Sequence, residues 1–372
     1  MAQIELTDAH TISEYSTPYF VAELNTSHNG DLDTAKLMIE QAKLAGCNCV
    51  KFQSWSPGSL YSESFYIENP IARRMVGKFS LEERELEEAA KHCAANDISF
   101  ASTPYSKREV DFLLECNAPF IKVSSMDIVN YPFLQYIAKT QAPVVLSTGM
   151  ADFGEVRKAV GVFEKAGNTK LCILHCNSLY PTSEEKVSLL NIIGLREEFP
   201  NFPIGFSDHT VGPVTALAAV GMGVALIEKH FTLDNSKIGM DNQMATEPSQ
   251  MQALINQCKT VASSLGKKER ILSQDELLQR EKMRRSIVST RRMPAGTVLS
   301  LSDLDAKRPG TGLPPELMSK LVGATLIEEV PADTLIVKTN LDAETVEKIK
   351  NLPEQNRGSH KCLTKKSTIT RL

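Results

Sequence analysis

Two histidines, two lysines and one glutamate carry most of the chemistry that this sequence offers. His209 and His230 close the apolar runs PIGFSDH and ALIEKHF. Neutral imidazoles brought side by side suit a divalent transition metal. Lys51 and Lys122 sit inside two similar runs, CNCVKFQ and FIKVSSMD, and Ser102, Thr103, Ser125, Ser147, Asn177 and Ser207 fall at or near the ends of these and neighbouring runs. Ammonium groups beside short hydroxyl donors suit a phosphate or a carboxylate. Hydroxyls at such positions also cap the helices that follow, but capping gives no reason for the lysines. Glu23, near the end of YFVAELN, is placed to stabilise a developing cation or to handle the proton of a water. A carboxylate there serves equally well as an anchor to a neighbouring strand. His175 lies further back on LCILHCN, where a packed core histidine is expected.

These groups meet only if the runs that carry them are parallel strands of one sheet. Eight β-branched, apolar runs occur between residues 19 and 231: YFVAELN, CNCVKFQ, ISFASTPY, FIKVSSMD, PVVLSTGM, LCILHCN, PIGFSDH and ALIEKHF. Stretches with helical periodicity separate them, such as DTAKLMIEQAKLAG and SLEERELEEAAKHCAAN. Strand–helix units repeated eight times predict an α/β fold, a (β/α)₈ TIM barrel, whose functional groups project from the C-terminal strand ends. A doubly wound open sheet is the alternative, and neither of its phosphate-loop patterns, GxGxxG or GxxxxGK[ST], occurs in the chain. The strand ends also carry Asn25, His28, Gln53, Tyr105, Ser124, Asp127, Thr148, Tyr180, Asp208, Glu228 and Lys229. Burying so many polar groups separately would be costly, so one shared polar pocket at the barrel mouth is expected.

The composition changes near residue 265. Residues 1–265 form the expected barrel, 266–282 a charged linker with a helix, and 283–345 a compact β-rich module with turn residues. Residues 346–372 have little apolar periodicity and read as a disordered tail. Hydrophobic residues at 42% and charged residues at 23% fit a globular protein large enough to need no disulfide staples. A net charge of −4 gives no electrostatic footprint for nucleic acid or a membrane surface. No apolar run has the length of a transmembrane helix, and the first residues lack the pattern of a signal peptide. The eight scattered cysteines read as buried thiols of a reducing cytosol, so a cytoplasmic location is expected.

Taken in order, AELNTSHNGD, VKFQS, STPYS, IKVSSMD, LSTGM, LHCNSLYPT, IGFSDHT and EKHFT resemble the motifs of the sialic acid (N-acetylneuraminate) synthase family, and RRSIV, PAGTVLS and KRPGTG resemble its antifreeze-like SAF domain. The resemblance runs from about residue 18 to about residue 340. It implies a barrel followed by a SAF domain. It also implies a domain-swapped homodimer in which each SAF domain closes its partner's barrel. The implied reaction condenses phosphoenolpyruvate with an open-chain, N-acetylmannosamine-like sugar and releases phosphate. On the matching positions it makes His209 and His230 the ligands of a divalent metal of the manganese type, with Mg2+ or Co2+ as alternatives. Lys51, Thr103, Lys122, Ser125, Ser147, Asn177 and Ser207 become phosphoenolpyruvate contacts, and Gln53, Asp127, Tyr180, Asp241 and Arg308 sugar contacts. The chain departs from the family pattern in sugar-facing loops: Leu24 to Gly30 after Glu23, Ser125-Met126-Asp127, and Gly239-Met240-Asp241-Asn242, where the family commonly has Gly-Pro-Asp-His. The acceptor sugar is therefore left open between mannosamine, legionaminic and pseudaminic types. A metal-dependent aldolase, a phosphoenolpyruvate synthase with another acceptor, and a binding protein without catalysis stand as competing readings.

Overall fold

The structure is a computed structural model that describes residues 1–350. It divides after Gly266 into two compact units. The first opens with an antiparallel hairpin, β1 (Gln3–Glu5) and β2 (Thr11–Ser13). Then come the parallel strands β3 (Tyr19–Glu23), β4 (Cys49–Gln53), β5 (Ser99–Thr103), β6 (Ile121–Val123), β7 (Val144–Ser147), β8 (Leu171–Cys176), β9 (Ile204–Asp208) and β10 (Leu226–His230). All of them fall within the runs read from the sequence. The last strand pairs with the first, with His230 opposite Glu23, so the sheet curls round as a barrel requires. Ladders join every neighbouring pair except β5 and β6, which lie against each other without one.

A helix follows each barrel strand, from Leu32–Ala45 after β3 to Pro248–Ser264 after β10. Local chemistry sets their starts. Asp31 accepts the Thr34 N–H at 2.8 Å, and Asp152 and Glu155 form a reciprocal capping box. Each such cap contributes about 1 kcal/mol. The strands are buried on both faces, so one core lies between sheet and helices and another inside the barrel. The pleat decides which residue joins which. In β4, Val50 and Phe52 join the outer core, while Cys49 joins the inner one with Val21, Ala101, Val145, Leu174 and Leu226.

The hairpin was not foreseen. Each of its strands has three residues and a single apolar side chain, Ile4 or Ile12, too little for a sequence pattern. Its reason is tertiary: Ile4, Leu6 and Ile12 pack with the inner core. Asp8 ties it down by accepting the Tyr19 hydroxyl at 2.8 Å and the Ser99 hydroxyl at 2.6 Å. A second unforeseen feature lies after β4, where the helices Glu63–Glu68 and Pro70–Phe79 build a small cluster of Trp55, Tyr66 and Val76.

The second unit begins at Lys267 and contains the helix Gln274–Met283, capped by Ser273. Strand β11 (Ser286–Ser289) pairs antiparallel with β12 (Leu304–Lys307). Isolated bridges, such as Val288 to Leu335 and Met293 to Val330, close the module around Ile287, Met293, Leu326 and Ile336. The expected tail boundary needs correction. Residues up to Lys350 belong to the helix Ala343–Lys350, whose Ile349 is buried in the module's core. That short amphipathic pattern has a partner only once the module exists. The rest of the expected tail, and Cys362, lie outside the described residues. Among the described residues, no helix is long and apolar enough to cross a membrane.

Candidate active site

Period-two alternation sorts the polar strand ends into two sets. Glu23, Lys51, Thr103, Lys122, Ser147, Ser207, Glu228 and His230 continue the inward rows of the barrel, and all are buried. Their centre is a group of four charges. Lys51 touches the Glu23 carboxylate, and its ammonium lies 3.8 Å from Glu228 and donates to Thr103 Oγ1 at 3.2 Å. Lys122 stands 3.9 Å from Glu228 and donates to Ser147 Oγ at 2.5 Å. Ser207 donates to Glu228 Oε1 at 3.0 Å, and Glu228 Oε2 has no hydrogen-bond partner.

The four groups titrate in opposite senses. Burial pushes the Glu23 carboxyl up to about 7; Lys51 opposes this and the Glu228 carboxylate adds to it. Glu228 is held below its usual range, because Lys122, Lys51 and the Ser207 hydroxyl outweigh its burial. Burial would lower Lys51, but Glu228 and Glu23 hold it up. Lys122 is lowered by burial, with Glu228 only partly compensating. When Glu23 is protonated, the two ammoniums face a single carboxylate, and the pocket is electrostatically ready for an anion.

His209 and His230 meet beside this group. Their ring centroids are 5.4 Å apart, and the Tyr180 ring lies 4.3 Å from the first and 5.9 Å from the second. Burial lowers both imidazole pKa values, so both rings are neutral at pH 7. His209 Nδ1 lies 2.6 Å from the Asn177 carbonyl oxygen. That bond places the proton on Nδ1 and leaves Nε2 with a lone pair, the arrangement found in metal-binding histidines. Among the described residues no group of three or more His, Cys, Asp or Glu could hold a metal. The two neutral imidazoles, with His209 Nε2 carrying a free lone pair, are donors of the kind a divalent ion takes, and an ion on them would have its other positions open to water or substrate.

Other predicted residues of the first unit line the rim. Gln53 donates to Glu23 Oε1 at 3.2 Å and accepts the Tyr105 hydroxyl at 3.0 Å. Ser125 accepts the Gly149 N–H at 3.0 Å and lies 3.3 Å from Cys176 Sγ. Asp127 accepts from Ser124 and Asn130 at 3.0 and 3.1 Å. Asp241 accepts from the Asn25 carboxamide. Tyr180 is exposed. Asn177 holds His209 through its carbonyl, while its side chain donates to the Lys186 carbonyl at 3.0 Å. Arg308 follows β12 in the second unit and is exposed.

One shared pocket for all the polar strand ends is too simple. Asp208 and Lys229 point outward and pair at 2.7 Å, with Thr210 and Thr215 satisfying the carboxylate. Ser102 bonds to Ser54 at 2.6 Å, and Thr148 donates to the Leu174 carbonyl at 2.8 Å. His175 stacks on Phe206 and bonds the Val187 carbonyl at 2.6 Å, as a packed core histidine. His28 accepts the Gly30 N–H at 3.1 Å in a buried turn, where burial lowers its pKa to about 4. The residue to which sequence reasoning gave no role is Glu228. Its signal was present: it sits two places before His230, on the same face of the strand.

A model of the NeuB family matches residues 38–270, and a SAF domain model matches residues 284–342. The chain belongs to the NeuB family. This NeuB-family chain is 34% identical over 340 residues to the N,N'-diacetyllegionaminic acid synthase of Legionella pneumophila, covering 88% of this chain and 95% of that one. It is 32% identical over 349 residues to human N-acetylneuraminate-9-phosphate synthase, covering 91% and 97%. Among solved structures, the sialic acid synthetase of Leptospira borgpetersenii, in complex with citrate, superposes with a TM-score of 0.69 at 29% identity over 75% of this chain and 96% of that one. The family expected from the motifs and its barrel-plus-SAF architecture are borne out. The relatives' names place this NeuB-family chain among nonulosonic acid synthases.

Proposed function

We propose that this chain condenses phosphoenolpyruvate with an open-chain, N-acetylmannosamine-like sugar, giving a 3-deoxy-2-keto nonulosonate and phosphate. The observation that carries the reading is the juxtaposition of two buried ammoniums with two neutral imidazoles at one barrel mouth. Ser207 joins them, 3.0 Å from Glu228 and 3.3 Å from His209 Nε2. Lys51, Lys122, Thr103, Ser125, Ser147 and Ser207 hold the phosphate and carboxylate of phosphoenolpyruvate. Asn177 positions His209. Gln53, Asp127, Tyr180 and Asp241 face the sugar.

His209 and His230 would hold a divalent ion, manganese or alternatively magnesium or cobalt, which when bound would supply Lewis-acid polarisation of an aldehyde oxygen. Carbon three of phosphoenolpyruvate bonds to the aldehyde carbon, whose oxygen takes up a proton. Glu23 balances the cationic character that develops at carbon two and takes one proton from the water that adds there. The bond from carbon two to the phosphate oxygen breaks, phosphate leaves, and the remaining hydroxyl loses its proton as the ketone forms.

A homodimer in which the SAF module closes the partner's barrel, bringing Arg308 to the sugar, is part of the proposal. Its support is a set of exposed apolar side chains on the loops after the barrel strands: Met126, Met150, Leu179, Val211, Ile238 and Met240. So much apolar surface around one mouth marks a contact surface.

The test is phosphate release from phosphoenolpyruvate with manganese across a panel of acceptor hexoses, with the product mass checked. Release with one acceptor, abolished by chelator and by His209→Ala, supports the reading and names the sugar. The lowered pKa of Lys122 favours one rival, an imine-forming aldolase. Borohydride trapping of pyruvate on the protein would decide for that rival.

A further inference from the structure

Asn242 lies in the loop after β10, and its surroundings show what it does there. The segment from Thr232 to Thr246 leads from β10 to the helix Pro248–Ser264 and is pinned at both ends. Thr246 N–H donates to the His230 carbonyl at 2.8 Å, and Thr232 N–H to the Thr246 carbonyl at 3.1 Å. Between these pins the only regular structure is the short turn Asn242–Met244. In its middle Ile238 and Met240 are exposed, 89% and 55%, whereas Leu233, Met244 and Ala245 near its ends pack inward and Asn242 is buried at 5%. Apolar packing therefore anchors the ends of the segment but does not hold its middle in place.

The Asn242 carboxamide does. Its Nδ2 donates to the Asp234 carbonyl at 2.7 Å and to the Lys237 carbonyl at 2.9 Å, and its Oδ1 accepts the Thr232 hydroxyl. Gly239 rests on the same side chain: a Cβ there would come within 2.8 Å of Asn242 Cβ. Two N–H donors converging on two carbonyls, with an acceptor facing a hydroxyl, is a demand that a carboxamide meets. A neutral imidazole has one donor, and a carboxylate has none. The residue that this staple fixes next is Asp241, whose carboxylate takes the Asn25 amide from the loop after β3.

We infer that Asn242 is a positioning residue that holds the 232–246 loop so that Asp241 and Asn25 together present a fixed acceptor surface to the sugar. The inference rests on the proposed reading of this site as a sugar-accepting synthase. With one lone pair given to Asn25, the Asp241 carboxylate has others for a donor on the acceptor sugar, a hydroxyl or an acylamino N–H. Recognition at this edge of the pocket thus comes from hydrogen-bond geometry, without an ionisable group at position 242.

The experiment compares wild type, Asn242→Ala, Asn242→Asp, Asp241→Asn and the Asn242→Ala/Asp241→Asn double variant. The readouts are amide exchange over residues 232–246 and the KM for each substrate. In Asn242→Ala, loop protection falls, the acceptor KM rises about tenfold, and the phosphoenolpyruvate KM changes less than about twofold. Asn242→Asp is at least as harmful, because its carboxylate faces two carbonyl oxygens. The double variant has the acceptor KM of Asp241→Asn alone, since a misplaced carboxylate and a missing one lose the same contact. Thr232→Val, which removes one of the three Asn242 bonds together with the Asp234 N–H to Thr232 Oγ1 bond at 3.3 Å, shifts protection and acceptor KM in the same direction by less, and decides the matter if Asn242→Ala does not fold. Unchanged loop protection or an unchanged acceptor KM in a folded variant overturns the inference, as does multiplication of the two single effects. If wild type releases no phosphate with any acceptor, the proposed function fails. The exchange data then decide the staple by themselves, with lost protection in Asn242→Ala supporting it and unchanged protection overturning it.

Discussion

Replacing Glu228 with glutamine probes the charge balance of the site directly. Glu228 stands 3.8 Å from the Lys51 ammonium and 3.9 Å from that of Lys122. At an effective dielectric constant of about 20, each attraction amounts to roughly 4 kcal/mol before the cost of desolvating the ions. Glutamine keeps the size of the side chain and an oxygen to accept the Ser207 hydroxyl, so the change removes charge and little else. It leaves two buried ammoniums with Glu23 as the remaining carboxylate among them, and burial already pushes Glu23 toward its neutral form. Breaking a buried pair by removing one partner costs about 3–5 kcal/mol. For a barrel of this size that corresponds to a fall in Tm of roughly 6–10 °C.

An added anion should restore the balance. Phosphoenolpyruvate or inorganic phosphate stabilises Glu228→Gln more than wild type, and each tenfold gain in affinity adds about 1.4 kcal/mol at saturation. The pH dependence has a definite sign. The folded pKa of Glu228 is lowered, so its stabilising contribution is present above the unfolded glutamate value of about 4.3 and is lost as pH falls through the folded value. The gap between wild type and variant should therefore close in acid. Thermal denaturation with and without ligand, from pH 7 downward, measures all of this. Equal Tm values in the absence of ligand, together with equal ligand shifts, would refute the assigned charge balance.

Two further outcomes are expected. Glu23→Gln lowers kcat about 10²–10³-fold while calorimetric binding of phosphoenolpyruvate persists. Because burial raises the Glu23 pKa to about 7, wild-type kcat at saturating substrates climbs with pH as the carboxylate forms, and the variant's kcat shows no such rise; near-normal turnover in a folded variant contradicts the role. Lys229→Met breaks the outward pair with Asp208 and costs about 3–5 kcal/mol of stability. Both KM values stay within about twofold, and a larger change in either would mean that the inner and outer faces have been assigned wrongly.

The sequence by itself determined the barrel and most of its chemistry. β-branched runs separated by amphipathic stretches leave few ways to bury both faces of each strand, and the C-terminal positions of Lys51, Lys122, His209 and His230 in their runs bring them to one end of a parallel barrel without any coordinates. What alternation does not report is which face looks into the barrel. Asp208 and Lys229 neighbour the two histidines in sequence, yet lie on the outer side of the wall as a self-satisfied pair. The same holds for Ser102 and Thr148, whose hydroxyls found partners within the scaffold. Contacts between distant segments left no local pattern at all. The hairpin that packs with the inner core depends on single apolar residues meeting a surface made by strands far along the chain. Asn25 and Asp241 are joined across 216 positions. The titration of Glu23 and Glu228 in opposite directions is also a tertiary property. The two carboxyls are both buried, and the placement of two ammoniums, with the Ser207 hydroxyl on Glu228, decides which is held ionised and which is kept near its neutral form.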